Sequence, residues 1–425
     1  MRAWRIQLGD QGAEKQSDSP AGQAPALALP DKPSIAVLPF QNISGDPEQE
    51  YFADGMAEDI ITSLSRLKSL FVIARNSSFT YKGKTVDIRQ VGQELGVRYV
   101  LEGSVRRAGD ALRLTCQLIE TARGSHIWAD RWDCGLADIF RTQDEITARI
   151  ENAIGDAVVR TEAGRISRSG QANIQAWQLR VQAWEGFHRW HRQALLRGVE
   201  FGREAIRLDP SESDGYAATA SCLYALAMSG WATSGRGAMN EAISLLSRAI
   251  NLDADHAMAY TMLGVCLLSA DRHDEATPQV NRGSELAPGS YYAAVGQGIV
   301  LGYCGAPQES LRSVATALRV SPRDPRIYAT YQTRCAPLFV LDRFEEVVSC
   351  AQYIMRLLPD WPEGLTMQAA ALAKLGRTDE ARHAIGRLLG LDPQYSVARA
   401  LRRHPYRDAL DREKLAGALT RAGLS

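Results

Sequence analysis

Three features that mark other classes of protein are missing from this chain of 425 residues. It has no apolar run near the ~20 residues that a membrane-spanning helix needs, so no membrane span is predicted. Its seven cysteines include no Cys-x-x-Cys pair, which argues against the common zinc and redox motifs. Scattered cysteines are typical of a reducing compartment, and a cytoplasmic location is expected.

An excess of charge of one sign is also missing, since 49 basic residues balance 49 acidic ones. Balanced charge argues against a strongly electrostatic partner, so no nucleic acid is predicted to bind. The N-terminus has no apolar segment of the kind found in secretory signals. Residues 1–32 are rich in Gln, Ser, Ala, Gly and Pro, and this composition predicts a flexible N-terminal segment and linker.

Residues 33–158 alternate between strand and helix patterns. A buried strand is predicted at 34–39, where an apolar run ends in proline, and apolar residues at helical spacing follow at 51–67. Three strands joined by short turns come next, and polar residues alternate with apolar ones at 111–120. This alternation predicts that one face of the sheet is exposed to solvent. The expected fold is an α/β domain with a mixed sheet and flanking helices.

Residues 173–424 contain a period. A short phrase resembling Leu-Asp-Pro closes successive helical segments, and its third position steps from 254 to 288 to 322. Each step is 34 residues, a period typical of stacked helical hairpins. The pattern predicts about six helix pairs and a closing helix from about Asp411. Two departures from the period predict a longer turn at 230–237 and an insertion near Pro337.

The repeats resemble the tetratricopeptide (TPR) family. In the unit from 257 to 288, Leu263 and Gly264 occupy the seventh and eighth positions and Ala276 the twentieth, which matches that family's pattern. The resemblance implies an all-α superhelix in which the first helix of each pair lines a concave surface. Such a groove is expected to bind a protein or peptide partner.

Partner-binding residues are predicted by carrying over the second, fifth and ninth positions of three repeats. The resemblance implies that these residues line the concave surface. They are mostly apolar, which suits a hydrophobic peptide or helix. The predicted residues are Met258, Thr261, Val265, Tyr292, Val295, Ile299, Glu363, Thr366 and Ala370.

The α/β region resembles the TolB-like N-terminal domain of bacterial regulatory proteins. Matching stretches lie at 35–40, 51–55, 77–84 and 100–106. In that family the domain often stands between TPR repeats and an N-terminal output module, either a class III adenylate cyclase or a winged-helix DNA-binding domain. Residues 2–6 resemble the exit from a cyclase domain. The resemblance implies that the metal-binding and nucleotide-binding residues of such a cyclase lie outside this chain.

Carboxylates and histidines are the first candidates for chemistry. Asp54, Glu58 and Asp59 flank a predicted helix start. Paired carboxylates suit acid–base catalysis, but the helix dipole also favours acidic residues there. His188 and His191 have a helical spacing that can bind a metal, but no further ligand follows in register. No catalytic residue and no metal site are therefore predicted.

Glycines, basic residues and tryptophans receive a similar interpretation. The glycines at 296, 298 and 302 resemble a phosphate-binding loop, but no strand precedes them, so helix packing is favoured and no cofactor is predicted. A solvated face, rather than an anion site, is the favoured interpretation of Lys82, Lys84, Arg106 and Arg107. Packing, partly at the seam between the two domains, is the favoured interpretation of Trp128, Trp132, Trp177, Trp184 and Trp190.

The leading hypothesis is a non-enzymatic interaction protein, a scaffold in bacterial signalling, whose TPR groove holds a protein or peptide. An alternative from a different class is the regulatory C-terminal half of a class III adenylate cyclase-type protein, with its catalytic domain missing from this chain. A third is a regulator that has lost a winged-helix DNA-binding domain. The sequence specifies neither the partner, nor a small ligand of the α/β domain, nor the oligomeric state.

Overall fold

The computed structural model describes residues 29–30, 32–67, 70–154 and 174–425. The predicted linker therefore falls mostly outside the described residues, and so does the predicted end of the α/β domain at residue 158. The chain divides into two compact units, Met1–His256 and Ala257–Ser425. The first unit contains the sheet together with the first two helix pairs, and the second contains the later repeats.

The first unit begins with a mixed sheet. Its strands are β1 (Ser34–Val37), β2 (Gln41–Asn42), β3 (Phe71–Val72), β4 (Tyr99–Ala108), β5 (Ala111–Glu120) and β6 (Ser125–Gly135). Their order is β3-β1-β4-β5-β6, with β2 paired to β4. β1 is parallel to β3 and β4, whereas β4, β5 and β6 pair antiparallel. The accompanying helices are α1 (Glu50–Ser65), α2 (Arg75–Ser78), α3 (Ile88–Leu95) and α4 (Ile139–Ile154).

The alternation along β5 determines how the sheet is covered. Leu112, Leu114 and Leu118 are buried in one core with apolar residues of α1 and α4. Arg113 is exposed and Gln117 is half-buried, because successive side chains of a strand point to opposite faces. Helices therefore pack on one face of β5 while the other stays wet, and the predicted mixed α/β architecture is confirmed.

Helices follow one another from residue 174 to the C-terminus. In the first unit they are α5 (Ile174–Arg189), α6 (Arg192–Leu208), α7 (Ser213–Met228) and α8 (Gly235–Leu252). In the second they are α9 (Ala257–Ser269), α10 (His273–Leu286), α11 (Tyr291–Tyr303), α12 (Pro307–Val320), α13 (Ile327–Val340), α14 (Phe344–Leu357), α15 (Pro362–Lys374), α16 (Thr378–Leu391), α17 (Val397–Arg403) and α18 (Ala409–Arg421). Consecutive helices from α5 to α16 pack in pairs, which confirms the TPR-like all-α region. Among the described helices, none combines the length and apolar character needed to cross a membrane.

Small residues at the eighth position of a repeat let the two helices of a pair approach closely. A Cβ atom on Gly264 of α9 would lie 2.5 Å from Val280 Cγ1 of α10, and one on Gly298 of α11 would lie 2.9 Å from Val314 Cγ2 of α12. Close packing leaves no room for either atom. The glycine cluster around residue 298 therefore lies within α11, where it permits close contact with α12. It does not form a phosphate-binding loop.

The two departures from the period have different outcomes. A longer turn is present at 229–234, between α7 and α8, but residues 235–237 of the predicted turn already belong to α8. The prediction for Pro337 was wrong, since this residue lies inside the continuous helix α13. The extra residues fall mainly in the connection 321–326, which is longer than the connection 287–290 one repeat earlier. A connection accepts inserted residues at little cost, whereas an insertion within a helix would interrupt its hydrogen bonds.

The closing helix begins at Ala409, close to the predicted start. It packs against α15, and its Leu415 and Leu419 belong to the same apolar core as Leu365 of α15. Between α17 and α18, residues 404–408 form a stretch without helix. This stretch returns to the earlier repeats and positions part of the site described next.

Candidate functional site

One side of α11 carries a line of four side chains. Tyr292, Val295 and Ile299 are predicted partner-binding residues, and Tyr303 follows one turn later. Residues three or four positions apart share a helix face. All four are half-buried, so each keeps part of its side chain accessible. We refer to these four residues as the α11 face.

Four of the predicted partner-binding residues are buried by repeat packing instead. Thr261 and Val265 of α9 are 1% and 4% exposed, and Thr366 and Ala370 of α15 are both 0% exposed. For Thr261 the cause is the close approach of the neighbouring first helix, because a Cβ atom on Gly296 of α11 would collide with its Cγ2. Because these four side chains have almost no accessible surface, the prediction that they line an open groove was wrong. The predicted contacts that stay accessible are Met258, Tyr292, Val295, Ile299 and Glu363.

The corresponding part of α15 is covered by residues that follow the last repeat. Arg403 Nη1 lies 2.7 Å from Glu363 Oε1. Thr366 Oγ1 lies 3.1 Å from the Tyr395 hydroxyl. The chain itself therefore occupies surface that the TPR resemblance assigns to a partner.

The stretch 404–407 covers the end of the α11 face in a similar way. The Arg407 backbone N–H donates to the Tyr303 carbonyl at 2.8 Å. Tyr406 is 1% exposed, and its hydroxyl donates to the Ala336 carbonyl of α13 at 3.4 Å. The repeat pattern ends before these residues, so it contained no signal of their position.

The first two residues of α10 complete this contact. His273 Nε2 lies 2.7 Å from the Pro405 carbonyl oxygen, to which it donates. Arg407 Nη2 lies 2.6 Å from Asp274 Oδ1. Residues from α10, α11 and α13 thus surround four consecutive residues of the chain's own C-terminal region.

A half-buried ionic network joins α1 to α5 and α7 within the first unit. Arg180 of α5 pairs with Asp59 of α1 at 3.4 Å and also with Asp214 of α7. Trp177 Nε1 donates to Asp59 at 3.0 Å, and Trp184 Nε1 donates to Asp214 at 2.9 Å. Each of these half-buried carboxylates thus has both an opposite charge and a neutral donor, as partial removal of a charge from water requires.

A second branch of the network surrounds Glu58 of α1. His188 Nε2 lies 2.8 Å from Glu58 Oε1, and Arg75 Nε lies 3.2 Å from Glu58 Oε2. Burial alone would raise the pKa of Glu58, but the attraction of His188 and Arg75 outweighs it and holds the pKa at about 2. Burial raises the pKa of Asp59 in spite of Arg180. Two adjacent carboxyl groups therefore have pKa values shifted in opposite directions.

The network pairs its groups with one another, which favours a role in structure over one in chemistry. His188 is engaged with Glu58, and His191 Nδ1 caps α6 by accepting the Ala194 backbone N–H at 3.2 Å. The described part of the chain contains no group of three or more side chains able to hold a metal. Trp177 also packs edge-on against Phe52 of α1 at 5.0 Å between ring centres, so it is a packing residue, as the sequence favoured.

A polar cleft of about 1030 Å³ lies on the wet face of the sheet. Side-chain pairs from neighbouring strands form its floor: the Ser104 and Thr115 hydroxyls lie 2.5 Å apart, and Gln117 Nε2 donates to Glu102 at 3.0 Å. Burial, assisted by the charge of Asp130, raises the pKa of the Cys116 thiol to about 12. The Cys116 side chain lies with Leu114 and Leu118 in the apolar core on the opposite face of β5, so its protonated thiol does not face the cleft.

The basic residues near the cleft do not form one site. Lys82 and Lys84 both line it, but Lys82 Nζ lies 2.5 Å from Asp54 Oδ2 and 3.1 Å from Glu50 Oε1. This pairing corrects the interpretation of Lys82 as a freely solvated residue, and it also engages Asp54. Arg106 is exposed, as the sequence favoured.

Two parts of the chain match models of known families. Residues 31–149 match the second domain of HilA/YgeH-like transcriptional regulators. Residues 235–297 match the tetratricopeptide repeat. The first match covers the sheet and its helices, and the second agrees with the repeat pattern.

Two curated proteins are similar to parts of the chain. "Putative adenylate cyclase 3" of Rhizobium meliloti (strain 1021) is 44% identical over 256 residues, which are 59% of this chain and 43% of that protein. "Protein STIP1 homolog" of Dictyostelium discoideum is 37% identical over 70 residues, which are 16% of this chain and 12% of that protein. The chain therefore spans less than half the length of these relatives.

Solved structures with similar helix arrangements include YrrB, described as a TPR protein with an unusual peptide-binding site. It is 16% identical with a TM-score of 0.33, and the match covers 48% of this chain and 96% of that one. The APC/C hetero-tetramer Cut9-Hcn1 is 13% identical with a TM-score of 0.41, and the match covers 67% of this chain and 52% of that one.

Proposed function

We propose that this chain is a non-enzymatic interaction protein whose TPR repeats bind a protein or peptide partner. The α11 face carries the proposal, because two tyrosines and two aliphatic residues remain half-buried along one helix of the array. Aromatic anchors are enriched at the centres of protein interfaces. A hydrophobic peptide or amphipathic helix is the partner that such a surface suits.

A catalytic role has less support in the described residues. The half-buried carboxylates of α1 are paired with Arg180, Arg75 and His188. The Cys116 thiol has a pKa raised to about 12 and lies in the apolar core rather than in the cleft. The polar groups on the floor of the cleft are bonded to each other. Binding therefore accounts for the accessible surface better than acid–base or nucleophilic chemistry does. We also propose a cytoplasmic location, in keeping with the scattered cysteines.

The proposal is tested by affinity capture from the native host with quantitative mass spectrometry. The double variant Tyr292→Glu/Ile299→Glu places two charges on the α11 face and is expected to lose at least about tenfold of the captured partner, since charge opposes apolar burial. The control is Leu357→Glu, at a second-helix side chain that is 47% exposed. Equal capture by the double variant and the control would show that the partner does not use this face.

A second candidate function is the regulatory part of a class III adenylate cyclase-type signalling protein. Its support is the 44% identity to the Rhizobium meliloti relative over 59% of this chain. In that case the repeats would couple partner binding to a catalytic domain supplied elsewhere. The genomic sequence upstream of the codon for Met1 decides this: an in-frame cyclase domain favours it, and a stop codon with no such domain opposes it.

A third candidate is the regulatory part of a transcription factor. The match of residues 31–149 to the second domain of HilA/YgeH-like regulators favours it. We retain the TolB-like interpretation of this region as a proposal of the same kind, because both resemblances describe regulatory proteins. An upstream winged-helix sequence in place of a cyclase would select this candidate.

A further inference from the structure

We propose that the stretch 404–407 is a built-in competitor of the partner. In this view the end of the α11 face recognises an extended peptide that carries an aromatic hydroxyl residue followed by a cationic residue. The inference rests on the proposed function, because it assigns chemistry to the same partner-binding face. It goes further in stating what the partner must contain and what it must displace.

The backbone of the stretch is bound as an added peptide would be. It has no helical structure, and it runs from the end of α17 at Arg403 to the start of α18 at Ala409. The Arg407 N–H donates to the Tyr303 carbonyl at 2.8 Å, and the Pro405 carbonyl accepts from His273 Nε2 at 2.7 Å. Main-chain hydrogen bonds of this kind provide affinity for any extended segment.

Two side chains supply the specificity. Tyr406 is 1% exposed, and its ring packs edge-on against Tyr303 with ring centres 4.9 Å apart. Its hydroxyl donates to the Ala336 carbonyl at 3.4 Å, so the pocket accepts an aromatic ring with a donor at its tip. Arg407 Nη2 lies 2.6 Å from Asp274 Oδ1, which selects a cation at the next position.

His404 adds a shape constraint before the aromatic position. Its Nδ1 lies 3.0 Å from the Tyr303 hydroxyl, and burial lowers its pKa to about 4. The imidazole is therefore neutral at physiological pH, and Nδ1 can accept a hydrogen bond from the Tyr303 hydroxyl. A partner residue at this position needs a neutral acceptor and no positive charge.

A longer partner gains contacts that the internal stretch leaves unused. Gln332 lies one turn before Ala336 on α13, and its Oε1 is buried without a hydrogen-bond partner among the described residues. Tyr292, Val295 and Ile299 stay half-buried on the α11 face. A tethered competitor acts at an effective concentration of about millimolar, so an external partner needs such extra contacts to displace it.

The first experiment measures binding of a fluorescent peptide with the sequence of residues 401–410 to the full chain. Wild type is expected to bind it weakly, because its own stretch fills the site. Tyr406→Ala empties the aromatic pocket and loosens the internal stretch, so the apparent Kd should fall at least about tenfold as the competent fraction rises. Leu388→Ala, in a buried residue of α16 in the same apolar core, removes a comparable volume and should leave the apparent Kd unchanged.

The second experiment keeps the idea falsifiable if Tyr406→Ala fails to fold. In Asp274→Arg, a peptide with Arg407→Glu should bind more tightly than the native peptide, whereas wild type should prefer the native peptide. The expected change is a reversal of rank of about two- to fivefold in each direction, because Arg407 and Asp274 are largely exposed and exposed ion pairs contribute little. Asp274 is exposed, so this variant leaves the core intact.

The outcomes separate this inference from the proposed function. An unchanged apparent Kd in a folded Tyr406→Ala variant, or an unchanged rank of the two peptides, overturns the competitor. Either result leaves capture through Tyr292 and Ile299 untouched. If Tyr292→Glu/Ile299→Glu captures as much partner as the Leu357→Glu control, the proposed function is overturned. That result leaves the competitor standing, provided that the peptide still binds the pocket at the end of the α11 face.

Discussion

The two units differ in the contacts that secure their helices. In the first unit, Arg180 lies between Asp59 and Asp214, so charge adds to the apolar packing that joins α1 to α5. In the second unit, α18 is joined to α15 through apolar burial, and Leu415 and Leu419 are both 0% exposed. An ionic network depends on every member and on pH, whereas an apolar contact depends mainly on volume.

The two kinds of contact make the units vulnerable to different substitutions. Moving a charge out of water is costly, so a buried ion pair is weak evidence for net stability. Removing one partner is nevertheless severe, since the other charge remains buried without compensation. The apolar contact has no such dependence, because each buried side chain contributes roughly in proportion to its area.

The largest effect is expected from Arg180→Met. This change retains much of the side-chain volume but leaves Asp59 and Asp214 without their common cation, at a cost of about 3–5 kcal/mol in the free energy of unfolding. Urea unfolding followed by tryptophan fluorescence measures it, since Trp177 and Trp184 both donate to the network.

The matched control for that change is Arg203→Met. Arg203 pairs with Glu241 at 2.6 Å, and its side chain is 58% exposed, so the expected loss is below about 1 kcal/mol. If both variants lose the same small amount, the half-buried network does not join α1 to α5 and α7 in the way proposed here.

The contrast between the two units also explains what the sequence predicted well. Gly264 and Gly298 were placed at helix contacts because the period assigns each a fixed position in a repeat. The wet face of β5 followed from simple alternation. Both patterns are local, and the structure confirms them.

Local sequence patterns could predict neither the ionic network nor the residues that cover the groove. Asp59, Arg180 and Asp214 are far apart in the chain, and nothing in the spacing of charged residues states which of them meet. Tyr406 belongs to no repeat, so its burial against Tyr303 has no periodic signal. Thr261 and Thr366 occupy groove positions by register but are covered by close helix packing and by Tyr395.

An intermediate effect is expected from acid. The pKa of Glu58 is about 2 in the folded chain, below its ordinary value of 4.5, so its contribution to stability is present above pH 4.5 and is lost as the pH falls towards 2. The raised pKa of Asp59 acts in the opposite sense and offsets part of the loss. As the pH falls through this range, the free energy of unfolding of Glu58→Gln should therefore decrease by about 2–3 kcal/mol less than that of wild type. Urea unfolding at several pH values measures it.

The apolar counterpart is Leu415→Ala in α18. It should lower the free energy of unfolding by about 2–5 kcal/mol, and by the same amount at every pH, because no titrating group is changed. A steeper acid dependence in this variant would contradict the separation of the two units into ionic and apolar types.

The smallest effect is expected from Gly417→Ala in α18. A Cβ atom there would meet only Arg421 Nη1, at an ordinary 3.7 Å, and alanine lowers the entropy of the unfolded chain. The free energy of unfolding of the second unit should therefore rise by about 0.4–1 kcal/mol, measured by the urea midpoint.

The same change at Gly198 of α6 should instead destabilise the first unit by about 1–3 kcal/mol, because its Cβ would lie 2.7 Å from Cys222 Sγ. Opposite signs at the two glycines would show that Gly417 lies outside the packed face of α18, whereas Gly198 lies where α6 and α7 are in close contact. A loss of stability at both positions would mean that Gly417 also lies in a close contact.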